Sequence, residues 1–216
     1  MLAVYNYMAG GVALTGVAAY LTYSMAASNP AFAQAIYGSP LKWVIMLAPL
    51  GIVFLMSAGA NRMSVGATQI AFWAFAAIMG VSLSSIFIVF TGQSIAQVFF
   101  ITAATFGALS IYGYTTKKDL SGWGSFLFMG LVGIIIASIV NIFLASSALM
   151  FAVNVIGILV FAGLTAYDTQ RIKETYDVVA GDATLAAKAA IHGALTLYLD
   201  FINLFIMLLQ LVGNRD

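Results

Sequence analysis

The sequence predicts an all-α, polytopic membrane protein built as a bundle of seven transmembrane helices. Three observations carry that expectation. Of the 216 residues, 63% are hydrophobic and only 7% are charged, with a mean hydropathy of +1.06, whereas a soluble domain carries about 25% charged residues. The apolar residues fall in repeated runs of about 20, the length an α-helix needs to cross a bilayer. These runs are continuous rather than alternating, which selects helices over barrel strands. A single transmembrane domain over residues 1–216 is expected, with no space left for a soluble one.

In chain order the spans fall at about 3–24, 42–60, 67–90, 94–114, 122–144, 147–172 and 187–212. The first connection, Met25–Leu41, reads as loop because it contains Asn29-Pro30 and Ser39-Pro40. Thr91-Gly92-Gln93 and Ala145-Ser146-Ser147 are too short to be anything but tight turns between antiparallel helices. Gly10, Gly11, Gly107, Gly130, Gly133, Gly157 and Gly163 fit close helix packing, where small residues let backbones approach. Ser82, Ser84 and Ser85 in span 3, with Asn141 and Asn154 in spans 5 and 6, fit either a polar path or hydrogen bonds between helices.

Orientation follows Lys and Arg. Connections 2–3, 4–5 and 6–7 carry Arg62, Lys117, Lys118, Arg171, Lys173 and Lys188, against Lys42 and Arg215 on the other side. That distribution places the N-terminus in the cytoplasm and the C-terminus outside. Met1 leads straight into an apolar segment without a basic n-region or cleavage site, so no signal peptide is expected. Cys is absent, which removes disulfides, thiolate metal sites and thiol nucleophiles. A net charge of +1 without a Lys/Arg cluster gives no reason to expect a nucleic-acid partner.

Against this apolar background two acids stand out. Asp200 lies near the middle of the last span, and Asp168 near the inner end of the one before. An ionised residue at membrane depth costs about 2.5–3.5 kcal/mol on insertion scales and is functional by default. The basic residues at the end of span 6 reach the headgroups, so Asp168 sits roughly 8 Å inward of Lys173 at 1.5 Å rise per residue. Spans 6 and 7 are joined on the cytoplasmic side by a polar loop containing Glu174, Asp177, Gly181 and Asp182, and are expected to run antiparallel in contact. The two carboxyl groups then meet in the inner half of the bundle. Two carboxylates in a poorly hydrated site cannot both ionise cheaply and titrate as a unit, which is a physical basis for a pH-sensitive cation gate. The plainer reading pairs Asp168 with Arg171 one turn on and Asp200 with Asn203 or a tyrosine hydroxyl. Arg62 is the candidate partner of the pair, and also a plain topology signal. Tyr167, Tyr198 and Asn203 are the candidate polar supports. His192, at the start of span 7, fits an interfacial hydrogen-bonding group better than a titrating one.

The run Tyr198-Leu-Asp-Phe-Ile-Asn-Leu-Phe205, with Tyr167-Asp168 in the preceding span, resembles the Bax inhibitor-1 (transmembrane BAX inhibitor motif) family in its bacterial inner-membrane branch. Ser64-Val65-Gly66 before span 3 and Lys117-Lys118-Asp119-Leu120 before span 5 extend the resemblance along the chain. The resemblance implies a seven-helix bundle with a central C-terminal helix, and a pH-sensitive calcium leak whose sensor is Asp168 with Asp200. It implies no cofactor, calcium ion as the permeant species, and a monomer in the bacterial inner membrane. An arginine at the inner end of span 2 is expected to engage the pair. Aligned through Val65-Gly66, this chain has Ala60 at that place and Arg62 two residues on. Bacterial members also bind the membrane-anchored AAA protease FtsH, which makes FtsH the expected protein partner under an alternative, interaction-protein reading.

Enzyme readings are weaker. Paired aspartates on spans 6 and 7 invite comparison with presenilin-type proteases, but Leu197-Tyr-Leu-Asp200 lacks their Gly-x-Gly-Asp, and Ala48-Pro49-Leu50 is not their Pro-Ala-Leu. A Gly-x-Ser-x-Gly-like element and a lysine in the middle of span 7 are absent, which removes rhomboid-type and retinal chemistry. No enzyme is expected.

Overall fold

The computed structural model describes residues 1–60 and 62–215. Among them it contains α-helices and no β-strand, with seven helical segments long and apolar enough to cross a membrane. The helices are α1 (Leu2–Ser28), α2 (Pro30–Ala33), α3 (Leu41–Gly59), α4 (Val65–Leu83), α5 (Ile86–Val89), α6 (Gly92–Thr115), α7 (Gly124–Leu144), α8 (Ser147–Val179) and α9 (Ala183–Val212). The all-α, seven-span expectation is met, and each span overlaps its expected range.

Local chemistry sets the ends. Ser64 Oγ accepts the Ala67 N–H at 3.2 Å and opens α4. Asp182 Oδ1 accepts from Thr184 and Leu185 N–H at 2.8 and 3.0 Å and opens α9. These bonds satisfy N-terminal donors that a helix cannot satisfy itself. In the turn between α7 and α8, Ala145 adopts a left-handed φ of 47°, and Asn141 Oδ1 accepts the Ser146 N–H at 2.9 Å.

Three details differ from the sequence expectation. The connection Met25–Leu41 is mostly helical, because Asn29-Pro30 starts a helix rather than a loop. Asn29 Oδ1 accepts from Ala31 and Phe32 N–H, Pro30 opens α2, and a π-helical stretch, Gln34–Gly38, follows. Span 3 is interrupted at Ser84-Ser85, separating α4 from α5. There Ser84 Oγ donates back to the Val81 carbonyl and accepts from the Tyr37 hydroxyl, and such back-bonding bends helices. Finally, α8 runs on to Val179, so Glu174 and Asp177 are helical and the connection to α9 shrinks to Ala180-Gly181-Asp182. Arg171, Lys173, Glu174 and Asp177 lie on a helix in which Lys173 and Asp177 are at i, i+4 spacing, a supportive pairing once the helix leaves the bilayer.

The chain forms two compact units. The first comprises chiefly Met1–Thr91 and Val179–Tyr198. Within it α1 packs on α4 at Gly80, where an added Cβ would lie 2.5 Å from the Thr15 carbonyl oxygen and 2.6 Å from Ala18 Cβ. Phe72, Phe75, Met56, Ile191 and Leu197 are fully buried there, with Tyr198 against Phe75 at a ring separation of 5.1 Å. The second unit comprises Gly92–Val178 and Leu199–Asn214. Leu127, Ile134, Val160, Phe161, Leu164 and Leu204 form its core, while Phe201 packs edge-on against Phe99 and Phe106, each at 5.6 Å. In α3 and α7 only 11% of the most apolar stretch is buried, whereas α9 has 50% buried, the largest share of the seven. Side chains such as Phe54, Ile70, Phe143 and Leu159 are more than two-thirds exposed, as residues that meet lipid chains should be.

Candidate functional site: a buried carboxyl pair

The site lies in the second unit, where α8 and the C-terminal half of α9 share the Val160–Leu164–Leu204 core. Asp168 on α8 and Asp200 on α9 are both buried, at 9% and 4% exposure. Their carboxyl groups are within hydrogen-bonding reach of each other. Two ionised carboxylates offer acceptors only, so a bond between them requires a shared proton. Arg171, one turn along α8, acts electrostatically on Asp168. Asp200 Oδ2 has no hydrogen-bond partner among the described residues. A buried, unpaired carboxyl oxygen is costly to keep, which marks the position as more than a packing site.

Close approach of α6 sets the height of Asp168. Gly113 stands where any Cβ would run into the Ala166 backbone carbonyl, and Ser110 Oγ bonds Thr169 Oγ1 at 2.9 Å. The chain from Leu164 to Thr169, apart from half-buried Tyr167, is thereby enclosed. Just beyond Asp168 on α8, Gln170 Oε1 accepts the Leu120 N–H at 2.8 Å and its Nε2 donates to the Lys118 carbonyl at 2.9 Å, while Lys173 Nζ donates to the Tyr114 carbonyl at 3.0 Å. These bonds tie the Lys117–Leu120 connection to α8 beside the aspartate. The sequence reading missed Gln170, although its position two residues after Asp168 was visible. In the same connection Asp119 is exposed, and the Ser121 N–H donating to it at 2.8 Å holds its carboxyl below the ordinary carboxylate range.

The other expected residues are placed as follows. Asn203 donates through Nδ2 to the Leu199 carbonyl at 2.8 Å, a bond within its own helix. Tyr198 is fully buried, and its hydroxyl meets Thr15 Oγ1 at 2.6 Å in the first unit. Tyr167 has its hydroxyl end against Gly124. Arg62 is exposed in the turn after α3. His192 is partly enclosed, and its Nε2 has no partner among the described residues. No group of three His, Cys, Asp or Glu side chains able to hold a metal ion occurs among the described residues.

The sequence model of the family described as "Inhibitor of apoptosis-promoting Bax1" matches residues 1–216. The chain belongs to the Bax inhibitor-1 family. It is 50% identical over 215 residues to an uncharacterized protein of Rickettsia prowazekii, covering 100% of this chain and 89% of that protein. It is 48% identical over 217 residues to the inner membrane protein YbhL of Escherichia coli, covering 100% of this chain and 91% of the relative. An uncharacterized membrane protein of Streptococcus pyogenes is 35% identical over 214 residues, covering 99% and 91%. None of these relatives carries an enzyme's name. With seven apolar helices, this Bax inhibitor-1 family member is a multi-pass protein of the bacterial inner membrane.

Proposed function

We propose that this protein is a pH-sensitive cation leak, with calcium ion as the permeant species and the Asp168–Asp200 pair as its sensor. One observation carries the reading. Two acids from different membrane-spanning helices are buried within hydrogen-bonding reach of each other, at depths where ionised side chains are rare unless they serve a pathway. Family membership supports it, and calcium is the ion that the family resemblance implies.

In the closed state the pair shares one proton, which ties α8 to α9. Removing that proton leaves two negative charges side by side in a site with little water, and their repulsion loosens the two helices. Loss of the proton therefore opens the path, and gain of it closes the path. The leftover lone pairs of Asp200 Oδ2 then offer a cation a negatively charged ligand.

The test is calcium flux into liposomes containing the purified protein at about pH 6 and about pH 8, the window within which a coupled carboxyl pair can titrate. Flux that is larger at the higher pH is the expected result. Equal flux at both values overturns the sensor, and an absence of flux at any pH together with co-purification of FtsH supports the interaction-protein alternative instead.

A further inference from the structure

A second polar feature in the same unit has no part in the carboxyl pair. A cavity of about 300 Å³ lies among the C-terminal end of α7, the first turns of α8 and the last turns of α9. Its polar lining is Ser138, Asn141, Asn154, Asn203 and Gln210. No Lys, Arg, Asp or Glu lines it. At about 30 Å³ per water molecule the space accommodates several waters.

Asn154 is the telling residue. It is 4% exposed and it lines this cavity. An amide enclosed to that degree costs stability unless a protein group, water or a ligand satisfies it. A leucine there would fill similar volume without that cost. Asn203 presents a complementary group. Its Nδ2 is taken by the Leu199 carbonyl, so the atom left to engage a ligand is the acceptor Oδ1. Asn141 is partly committed, since its Oδ1 serves the turn to α8.

Position along α9 links the cavity to the carboxyl pair. Asp200, Asn203 and Gln210 stand at i, i+3 and i+10 and share one face of the helix. Asn203 is one turn from Asp200, about 4.5 Å of axial rise, and Gln210 is about 15 Å from it. A polar file therefore runs from the exposed Gln210, past Asn203, to the buried acid. The helix ends add to the field: α7 and α9 both terminate here, presenting negative dipole ends, while the positive start of α8 is partly answered by Ser146 Oγ accepting the Leu149 N–H.

We propose that this amide-lined cavity is a hydrated vestibule that accepts a cation with its water shell and delivers it to Asp200, with Asn154 and the Asn203 carbonyl replacing part of that shell. This deepens the leak reading and rests on it for the destination of the ion, but not for the hydration and charge preference of the vestibule.

The chain contains no cysteine, so single-cysteine variants report one position without background. Asn154→Cys, Asn203→Cys and Gln210→Cys, reconstituted in liposomes of neutral phospholipid, are exposed to a cationic and to an anionic water-soluble methanethiosulfonate reagent. Leu159→Cys, at 69% exposure on the outer face of α8, serves as the lipid-facing control. The expected result is labelling at all three vestibule positions at least tenfold faster than at 159. A preference of about fivefold or more for the cationic reagent is expected, together with slowing by millimolar calcium chloride. Gln210→Cys, at the exposed mouth, keeps the test readable if the buried variants do not fold. Labelling no faster than at 159 overturns the hydrated vestibule, and equal rates with both reagents overturn its preference for cations. Labelling as expected with no calcium flux at any pH leaves the vestibule standing and removes the leak reading, so the two failures are distinguishable.

Discussion

Asp168 and Asp200 set two acids side by side on adjoining helices, buried among apolar side chains. Arg171, which the sequence spacing offers as a partner one turn on, does act on Asp168, whereas the Oδ2 of Asp200 that nothing among the described residues satisfies was not legible in the sequence. If the two act as one unit, Asp200→Asn abolishes the difference in flux between about pH 6 and pH 8. Asp168→Asn does the same, and the double variant adds little, because contacting groups are non-additive. Arg62→Ala, at an exposed position, changes the level of flux less than either. Additive losses would instead make the aspartates separate structural hydrogen-bonders. Asp119 gives an independent check at the residue scale. Its carboxyl is held below the ordinary range by the Ser121 N–H, so its stabilising effect is present above the unfolded-state pKa and disappears as pH falls through the folded one. Asp119→Ala therefore lowers the melting temperature slightly at pH 7, and the gap to the unaltered protein narrows as pH falls below the ordinary carboxylate range. A gap that widens on acidification would contradict that sign.

At the scale of elements, spans were legible because lipid imposes a length and a composition on them. Their interruptions were not. Asn29-Pro30 signals a turn and a helix start equally well, and only the two N–H bonds to Asn29 Oδ1 decide for the helix. Likewise the end of α8 looked like loop because it is charged, yet charged residues continue a helix readily once water surrounds it. Glycine spacing was read as close packing without regard to position, and the structure separates the cases. Gly113 has the Ala166 carbonyl where a Cβ would go, whereas Gly107 has open space around that point. Gly113→Ala forces α6 and α8 apart and destabilises by about 1–3 kcal/mol, the usual range for overpacking. Gly107→Ala is neutral or stabilising by up to about 1 kcal/mol through helix propensity. Thermal unfolding of the detergent-solubilised variants measures both, and an equal response at the two positions would show that helix contact at Gly113 is unimportant.

Over the whole molecule, the burial gradient and the charge pattern address different questions. Burial singles out α9, which alone has half of its apolar stretch enclosed, and this agrees with an acid that lipid would not tolerate. Burial is silent on which end of each helix faces the cytoplasm, because apolar side chains meet both leaflets alike. Orientation rests instead on Arg62, Lys117, Lys118, Arg171, Lys173 and Lys188, which lie in connections or in the helix turns next to them, all on one side of a seven-span chain. The structure adds weight to two of them. Lys173 is tied to the Tyr114 carbonyl and lies over the Tyr114 ring at 4.8 Å. Lys188 Nζ reaches the Ala60 carbonyl at 3.4 Å. Each therefore reaches from its own helix to the end of a neighbouring one, Lys173 to α6 and Lys188 to α3, as headgroup-facing cations can. Seven crossings put the two ends of the chain on opposite sides, so the Lys117–Leu120 connection and the Ala145–Ser146 turn must also face opposite compartments. A fluorescent reporter inserted at residues 118–119 is expected to light up, and alkaline phosphatase joined after Ala145 is expected to be active. If both fusions report the same compartment, the single span between them, α7, does not cross. The inverse pattern would turn the protein over, placing the carboxyl pair in the outer half and the amide-lined vestibule at the cytoplasmic face.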